Sequence, residues 1–427
     1  MQRKIIIEAK DCLPIQCNEV ESAALFHFVS TISAKTFHFS PNQKKEESIV
    51  YFDYQKRQWI ANRYIGECEF IFNNQVFMLK ITPRFGHELL LKMFEYIYST
   101  KLPPSYHTLA KSKSMDIHKL LISIIWIAHL KKALKHGLYK VNKQIKEEGT
   151  TIRGKFLIKE SLIDSRTNNI LHYFYTRKEI ENTPNRILFK AFLVLKRNYF
   201  LSESFLSNTI KMDLNKLNNV FESNFKIKFS EYKNIKYSNL YVGYKPLIDL
   251  SWEIISNKEL GVEESKKEGN SFFLDMAEVW ELFIHRTLVK SLIPLGWNLI
   301  NKELIIYEST FYKRKLMPDI VLEKEDKVLV LDAKYKRMNY SNLDIDRNDL
   351  FQIHTYSYFF TNQHKAIYSG LIYPLQNRIE LKLEKHTIFN KMNDKNSFFI
   401  DGIEVNSPEL FEQNIKSFIK SIELKLN

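Results

Sequence analysis

The pattern of apolar and polar positions divides the chain into three stretches of different character. Residues 1–105 contain short runs in which apolar and polar residues alternate, as in "YIGECEFIFNNQVFMLKITPRF", and such alternation predicts β-strands. The pair Asn73 and Asn74 between two of these runs predicts a hairpin turn. A helix is predicted directly afterwards, over "HELLLKMFEYIYST". We therefore expect a β-rich N-terminal domain over residues 1–105.

The middle stretch shows helical periodicity. In "DIHKLLISIIWIAHLKKALKHGLYK" apolar residues recur every three or four positions, and the pattern reaches Gly137, a residue type that commonly follows helix ends. The segment "TPNRILFKAFLVLKRNYFLS" predicts a further helix, with Thr183 as its N-cap and Pro184 in its first position. Weaker helix patterns follow between 203 and 235. A mainly helical middle region is expected over residues 106–265.

The last stretch, residues 266–427, mixes both periodicities. It follows the polar, glycine-containing segment "SNKELGVEESKKEGN" at 256–270, which predicts a linker or a surface loop. The elements predicted in order are a helix in "SFFLDMAEVWELFIHRTLVKSLIPLGW", two strands in "LMPDIVLEKEDKVLVLDAKYKRM", a helix in "DLFQIHTYSYFFT", a strand in "KAIYSGLIYPL" and a helix in "SPELFEQNIKSFIKSIELKL". This order predicts a C-terminal α/β/α sandwich with a mixed sheet. The fold class expected for the whole chain is α+β with several domains.

The composition is that of a globular protein, with 44% hydrophobic and 26% charged residues. Glycine and proline are scarce, at 11 each, so long disordered stretches are not expected. The formal net charge of +14 favours a polyanionic partner such as nucleic acid, because lysine and arginine contacts to phosphate release counterions. An AT-rich genome, whose codons favour lysine, is the alternative explanation of this excess.

The cysteines and the apolar runs exclude other classes of protein. Cys12, Cys17 and Cys68 form no CxxC pair, which argues against a zinc site or a disulfide framework. The most apolar run, from Leu120, is too short to span a bilayer, and the N-terminus lacks a signal-type apolar core. We expect a cytoplasmic protein with no membrane partner.

Two acids and a lysine stand at the ends of the strands predicted in "LMPDIVLEKEDKVLVLDAKYKRM". Asp332 and Lys334 are two positions apart and share a strand face, and Asp319 belongs to the neighbouring strand. Carboxylates at the ends of adjacent strands can bring their oxygens to one Mg²⁺, which prefers oxygen ligands. A divalent ion with a nearby lysine supplies most of what phosphodiester hydrolysis requires. A solvated hairpin with a surface salt bridge is the alternative interpretation of these three residues.

This arrangement resembles the PD-(D/E)XK nuclease motif, with "PD" ending at Asp319 and "DAK" ending at Lys334. In that superfamily a glutamate on the preceding helix often completes the metal site. The resemblance implies Glu281 in this role, with Glu278 on the same helix as its rival and a plain surface position as the alternative for Glu281. The metal ligands implied are Glu281, Asp319 and Asp332, holding Mg²⁺, with Mn²⁺ as a possible substitute.

A second signature follows the motif. Gln352 and Tyr356 resemble the QxxxY signature of the RecB-like subgroup, in which the glutamine lies beside the metal and the phosphate. The alternative for Gln352 is an ordinary polar residue in the first turn of a helix. The catalytic residues that these resemblances imply are Asp319, Asp332, Lys334 and Gln352.

Several segments resemble, in one order, the McrC family, the nuclease subunits of McrBC-type restriction systems that act on DNA carrying 5-methylcytosine. The segments are "YIGECEFIFNNQVFMLKITPRFG", "HGLYKVNKQIKEEGTTIRGKFLIKESL", "ENTPNRILFKAFLVL", "FFLDMAEVWELFIHRTL", "MPDIVL", "VLDAKYK" and "DLFQIHTYSY". The chain departs from the family at Trp280, where Phe is usual, and over 203–270, which matches poorly.

The family resemblance implies a magnesium-dependent endonuclease subunit that cuts double-stranded modified DNA and stimulates a separate McrB-like partner, a hexameric AAA+ GTPase that binds the GTP. In agreement, the GxxxxGK match from Gly149 has Phe156 where a P-loop needs Ser or Thr. Residues 1–170 should carry the partner contacts, and Arg84 and Arg153 either act in trans or are plain surface arginines. The alternatives are a catalytically silent activator of an AAA+ ring and a stand-alone PD-(D/E)XK nuclease.

Overall fold

The structure, a computed structural model, describes most of the chain as a mixed fold of helices and several separate sheets. The described residues are 4–32, 36–37, 47–99, 101–102, 106–108, 117–162, 170–199, 201–203, 206–222, 225–263, 271–301, 303–305, 315–336, 345–361, 366–377 and 396–426. The chain divides into two compact units. The first unit is Met1–His118 together with Ser265–Asn427, and the second unit is Lys119–Glu264.

The strands of the described residues belong to five sheets. In chain order they are β1 (Ile5–Lys10), β2 (Pro14–Ile15), β3 (Thr36–Phe37), β4 (Val50–Asp53), β5 (Gln58–Ala61), β6 (Tyr64–Phe72), β7 (Gln75–Thr82), β8 (Val141–Gly149), β9 (Lys155–Phe156), β10 (Leu171–Glu179), β11 (Ser271–Asp275), β12 (Asn298–Leu299), β13 (Leu304–Ile305), β14 (Lys315–Leu316), β15 (Ile320–Lys324), β16 (Lys327–Ala333), β17 (Ala366–Leu375) and β18 (Asn396–Glu404). The two five-stranded sheets of the first unit carry most of the candidate site, and the three-stranded sheet β2-β5-β4 adds Tyr51 and Ile60 to its wall.

The principal helices separate and follow these strands. In chain order they are α1 (Glu19–Thr31), α2 (His87–Tyr98), α3 (Ile117–Ala133), α4 (Thr183–Asn198), α5 (Asn208–Val220), α6 (Phe229–Lys233), α7 (Tyr244–Glu263), α8 (Met276–Leu292), α9 (Arg347–Phe359) and α10 (Phe411–Leu426). Among the described residues, no helix combines the length and the apolar character needed to cross a bilayer.

One five-stranded sheet of the first unit has the order β1-β7-β6-β11-β3. Strands β6 and β7 form the hairpin predicted from the paired asparagines. Asn73 and Asn74 both have a positive φ, +49° and +58°, as a two-residue hairpin turn requires, so this prediction is confirmed. Helix α1 contributes Leu25 to a core that it shares with Ile7 and Phe77 of the sheet.

The sequence pattern predicts helix over residues 271–275, and this prediction is wrong. The structure has strand β11 there, antiparallel to β6, with Phe273 opposite Gly66. Asp275 then starts helix α8, because its carboxylate accepts a hydrogen bond from the backbone N–H of Ala277 at 2.8 Å. Sequence periodicity does not reveal this strand, because its pairing partner lies about two hundred residues earlier in the chain.

The predicted division between residues 1–105 and 266–427 is therefore not a division between compact units. Strand β11 belongs to the N-terminal sheet, and both regions lie in the first unit. One strand from the C-terminal region thus completes a sheet of the N-terminal region.

The second five-stranded sheet has the order β12-β15-β16-β17-β18. It is mixed, because β15 runs antiparallel to β16 whereas β16, β17 and β18 are parallel. Val328 and Val330 share a core with residues of helix α9, whereas Leu329 and Leu331 are equally buried and point to the opposite face. Helix α8 contacts β16 and helix α10 contacts β18, so helices cover the sheet around the predicted motif.

The second unit combines helices with a three-stranded antiparallel sheet of the order β8-β10-β9. The prediction of a mainly helical middle region misses this sheet. Most side chains of β8, with the sequence VNKQIKEEG, are exposed, so the apolar alternation that usually marks a strand is absent. The GxxxxGK match runs from β8 into β9 and not into the helix that a P-loop requires.

The helix boundaries of the second unit follow local capping chemistry. Asn182, and not Thr183, is the N-cap of α4, because its side-chain oxygen accepts a hydrogen bond from the backbone N–H of Asn185 at 3.1 Å. Pro184 lies in the first turn. After α3 a short 3₁₀ turn ends at Gly137, whose φ of +77° confirms the predicted stop.

The remaining predictions for this unit concern weak helices and a linker. The weak helix patterns between 203 and 235 correspond to α5 and α6. The predicted linker at 256–270 begins inside α7, which continues to Glu263. The rest of that linker, 264–270, lies outside the described residues.

Candidate active site

The strand pairing of β15 and β16 brings the two predicted aspartates together. Ile320 lies opposite Leu331, so Asp319 and Asp332, the residues next to them, lie at adjacent strand ends. The Asp319 carboxylate accepts a hydrogen bond from the backbone N–H of Ala333 at 2.7 Å. Asp332 is only 2% exposed. Two carboxyl groups therefore share one buried corner of the sheet, as the sequence predicts.

The electrostatic environment of this corner disfavours two ionised carboxylates without a cation. Burial, followed by the charges of Asp332 and Glu281, raises the pKa of Asp319 well above its usual value. Burial also raises the pKa of Asp332, and the neighbouring Lys334 ammonium opposes that rise. A pair of buried carboxyl groups with raised pKa values binds either a proton or a cation, so the corner is suited to cation binding.

Lys334 lies at the centre of the cluster. Its ammonium forms an ion pair with Asp332, donates a hydrogen bond to the side-chain oxygen of Gln352 at 2.8 Å and lies 3.5 Å from a carboxylate oxygen of Asp349. Burial lowers the pKa of Lys334, but the attraction of Asp332 outweighs that effect and the net shift is upward. Lys334 is therefore a charged ammonium held next to the two aspartates.

The spacing of the QxxxY signature has a direct structural reason. Gln352 and Tyr356 are one turn apart on α9, and the amide nitrogen of Gln352 donates a hydrogen bond to the Tyr356 hydroxyl at 2.7 Å. That hydroxyl donates in turn to the carbonyl of Met317 at 3.3 Å, just before Asp319. The chain of bonds orients the Gln352 oxygen toward Lys334.

Helix α8 brings both candidate glutamates to the site. Glu278 and Glu281 line the same cavity as the aspartates. Glu281 is the one whose charge contributes to the raised pKa of Asp319. The helix is anchored by its other side, where Val279 and Phe283 are fully buried. The electrostatic coupling to Asp319 favours Glu281 over Glu278 as the third acid of the site.

The sequence analysis missed Asp349, which is 4% exposed. Its carboxylate oxygens both lie 3.0 Å from the ammonium of Lys336, and one of them faces Lys334. A signal for it was available, because Asp349 precedes Gln352 by one helical turn and must lie on the same face of α9. Asp349 connects the two lysines that follow the strand end.

These side chains line a cavity of about 970 Å³ in the first unit. Part of its wall comes from the N-terminal region, including Tyr51, Asn62 and Arg63. The acidic residues on the wall are Glu47, Asp275, Glu278, Glu281, Asp319, Asp332 and Asp349, and the basic residues are Arg63, Lys334 and Lys336. Seven acids against three bases give this wall a formal charge of −4 if all ionise, in a chain whose net charge is +14.

The donor chemistry of the cavity fits a hard divalent cation. Within the described ranges, no group of three or more His, Cys, Asp or Glu residues is arranged to hold a metal ion. The available set is therefore the pair Asp319 and Asp332, with Glu281 close enough to influence Asp319. Magnesium is commonly held by one or two carboxylates, with water and substrate phosphate completing its coordination. The pair fits Mg²⁺ in that manner.

The chain matches a known sequence family. The family described as McrBC 5-methylcytosine restriction system component matches residues 61–374, well over half of the 427 residues. This span includes all of the residues predicted to be catalytic. No curated protein matches the chain significantly.

A solved structure shares its fold. The chain resembles one in the refined half-complex from the tetradecameric assembly of Thermococcus gammatolerans McrB AAA+ hexamers with bound McrC, at 15% identity and a TM-score of 0.52, covering 99% of each chain. A chain in the cryo-EM structure of the Thermococcus gammatolerans McrBC complex matches 68% of this chain and 88% of its own length, at 15% identity. The TM-score of that second match, 0.34, is too low to indicate a common fold.

The family match and the full-length fold similarity agree with the order of the segments in the sequence. The fold similarity covers both the N-terminal sheet and the sheet that carries the aspartates, and the family match covers the strand ends of the candidate site. The chain belongs to the McrBC 5-methylcytosine restriction system component family.

Proposed function

We propose that this protein is the magnesium-dependent DNA endonuclease subunit of a modification-dependent restriction complex. The observation that carries the proposal is the convergence of Asp319, Asp332 and Lys334, joined by Gln352, in an acid-rich cavity of a basic protein. Such a cavity repels DNA phosphate unless cations occupy it. A site that binds Mg²⁺ between its carboxylates and a phosphodiester accounts for both features.

Each side chain has a role in this proposal. Asp319 and Asp332 bind the cation, which when bound neutralises phosphate charge and activates a water molecule. Lys334, already an ammonium beside the carboxylates, stabilises the charge that develops on the phosphate. Gln352 holds Lys334 through its side-chain oxygen. Mn²⁺ should substitute for Mg²⁺, because both accept oxygen ligands.

Nucleotide binding and DNA selection belong to a partner protein in this proposal. The Thermococcus assembly contains McrB AAA+ hexamers with bound McrC, and we infer that this chain works with a GTPase of the same kind. The partner would bind GTP and select double-stranded DNA that carries 5-methylcytosine, and residues 1–170 here would provide the contacts. The complex would act on DNA in the cytoplasm.

The first prediction tests cleavage in the assembled complex. With its GTPase partner, GTP, Mg²⁺ and methylated plasmid, the wild-type chain should produce double-strand breaks. Asp332→Asn should lower the cleavage rate by more than about a hundredfold, since loss of even an outer-sphere partner of a metal costs 10–100-fold. GTPase stimulation should stay within about twofold, because Asp332 is buried in the cavity and not on a docking surface.

Asp326→Asn is the matched control, because Asp326 is an exposed aspartate in the turn of the same β15–β16 hairpin. It should cut at the wild-type rate. Intact plasmid with the wild-type complex, despite stimulated GTPase activity, would show a catalytically silent activator. Equal cleavage by Asp332→Asn would place the catalytic site elsewhere.

A second prediction separates the two glutamates of α8. Glu281→Gln should raise the Mg²⁺ concentration for half-maximal cleavage by about tenfold, since it removes one acid from the environment of Asp319. Glu278→Gln should leave that concentration within about twofold. The measurement is a Mg²⁺ titration of the initial cleavage rate, and the reverse order would make Glu278 the third acid.

A further inference from the structure

Arg84 lies inside the first unit, in contact with the strand end that carries Lys334. Its guanidinium carbon is 4.4 Å from the ring centroid of Tyr335 and 4.6 Å from that of Phe85. The two rings meet edge to face at 6.2 Å. Tyr335, the residue after Lys334, is 5% exposed. An arginine from the end of β7 is thus packed on the neighbour of the candidate catalytic lysine.

Further N-terminal contacts fix this arrangement. The backbone N–H of Arg84 donates to the carboxylate of Asp11 at 2.5 Å, and Asp11 is completely buried. The backbone N–H of Asp11 donates to the carbonyl of Thr82 at 3.1 Å, which ties it to the end of β7. The Cys12 thiol lies 3.9 Å from the carbonyl oxygen of Tyr335. Tyr335 is therefore held at its ring and at its backbone by residues of the N-terminal region.

Tyr335 follows Lys334 directly, so its anchoring helps to fix the backbone of Lys334. Strand β16 ends at Ala333, and the last bond to the sheet is from the backbone N–H of Lys334 to the carbonyl of Ile372, at 2.9 Å. Beyond that point, the contacts of Tyr335 with Arg84 and Cys12 hold the chain in place of sheet hydrogen bonds. A shift of Tyr335 would move the backbone from which the Lys334 side chain reaches Asp332.

A second arginine holds the other wall of the site in the same manner. The Nε of Arg63 lies 3.0 Å from both carboxylate oxygens of Asp275, and the backbone N–H of Met276 donates to the carbonyl of Arg63 at 3.0 Å. Asp275 caps helix α8, which carries Glu278 and Glu281. The N-terminal region therefore fixes the start of the helix as well as the end of the strand.

Burying the charged guanidinium of Arg84 costs free energy, and a purely structural contact would not require that charge. Among the described residues, neither terminal nitrogen of its buried guanidinium has a hydrogen-bond partner, and its charge is compensated by the faces of the two rings and by the nearby carboxylate of Asp11. A methionine would fill similar space without burying a charge. This placement also contradicts the reading of Arg84 as an arginine that reaches a partner in trans, because its charged end points into the protein.

We propose that Arg84 is a positioning residue for the nuclease site, acting on Lys334 through Tyr335, with Arg63 acting on helix α8 through Asp275. The inference rests on the proposed function, since it concerns the regulation of the same site. The N-terminal sheet is then part of the frame of the active site. Any movement of that region on partner docking would be transmitted to the lysine and to the helix.

The test uses Arg84→Met and Arg84→Lys in the complete complex with GTPase partner, GTP and methylated DNA. Arg84→Met should lower kcat for cleavage about 10–100-fold, because small misplacement of a catalytic group has effects of this size, and should leave KM for DNA within about twofold. GTPase stimulation should be unchanged. Arg84→Lys should recover most of kcat, because an ammonium still lies over the two rings.

Arg57→Met is the matched control, because Arg57 is an exposed arginine of the same region and its loss changes the net charge equally. It should leave kcat unchanged. Tyr335→Leu removes the ring at the other end of the contact and should lower kcat to the level of Arg84→Met. The double variant should then lose no more than either single variant, whereas additive losses would overturn the proposal.

The outcomes distinguish this inference from the proposed function. If Arg84→Met cuts at the wild-type rate while Asp332→Asn does not cut, the positioning role is wrong and the nuclease assignment stands. If Arg84→Met loses GTPase stimulation together with cleavage, Arg84 acts on the partner and the positioning role is wrong. If the wild-type complex does not cut, the proposed function itself fails.

Discussion

Asp319→Asn should abolish DNA cleavage and at the same time raise the melting temperature of the metal-free protein. The asparagine oxygen keeps the hydrogen bond from the Ala333 N–H, but the variant removes a buried carboxylate that faces Asp332 and Glu281. Relief of about 1 kcal/mol raises the melting temperature by roughly 2–4 °C in a domain of this size. Cleavage should fall by more than about a hundredfold, because a ligand of the cation is lost.

The pH dependence has a definite sign. The pKa of Asp319 is higher in the folded than in the unfolded protein, where it is near 3.8. The folded state therefore gains from protonation of this group, and that gain is complete below pH 3.8 and is lost as the pH rises through the raised folded pKa. The asparagine side chain does not titrate, so the variant does not lose this stability as the pH rises. The stabilisation of Asp319→Asn over the wild type should be larger at pH 8 than at pH 5.

Calorimetric melting with and without Mg²⁺ measures both effects. Saturating Mg²⁺ should stabilise the wild type, by about 2.7 kcal/mol at a hundred times the dissociation constant, and should leave Asp319→Asn unchanged. The Asp326→Asn variant should behave as the wild type does. An equal Mg²⁺ shift in Asp319→Asn would show that Asp319 does not bind the cation.

Lys334→Met should also abolish cleavage, but with the opposite effects on stability and on metal binding. The ammonium pairs with Asp332 and Asp349, and its side chain is only 15% exposed. Its removal leaves the buried carboxylate of Asp332 without its cation, whereas Asp349 keeps Lys336, and this costs about 3 kcal/mol in the metal-free protein. The more negative site should then bind Mn²⁺ more tightly than the wild type does.

Isothermal titration with Mn²⁺, together with melting curves, measures this second prediction. Lys334→Met should melt at a lower temperature without metal and recover much of the difference when Mn²⁺ is added. Lys324→Met, a lysine at the other end of the same hairpin, should change neither quantity. Weaker Mn²⁺ binding by Lys334→Met would show that the lysine helps to form the metal site and does not compete with the cation.

The parts of the site that could be predicted from the sequence depend on local geometry. The positions of Asp332 and Lys334 follow from the two-residue period of one strand, and Gln352 and Tyr356 follow from one helical turn. The hairpin at Asn73 and Asn74 is equally local. Short-range rules suffice in these cases because every partner lies within a few residues or across one tight hairpin.

The parts that could not be predicted depend on long-range pairing. Strand β11 pairs with β6 across about two hundred residues, and no periodicity in either segment identifies the other. The contact of Arg84 with Tyr335 joins regions that the sequence separates into different domains. Strand β8 is exposed on most of its side chains, so its sequence resembles a polar loop.

The long-range closure of the N-terminal sheet has a consequence for biosynthesis. Strands β6 and β7 leave the ribosome early, but the sheet gains β11 only after the whole second unit has been synthesised. The second unit contains its own local contacts and can fold while β6 is still without β11 as its partner. The edge of β6 is then unpaired during translation and open to pairing with other chains until residue 275 has emerged.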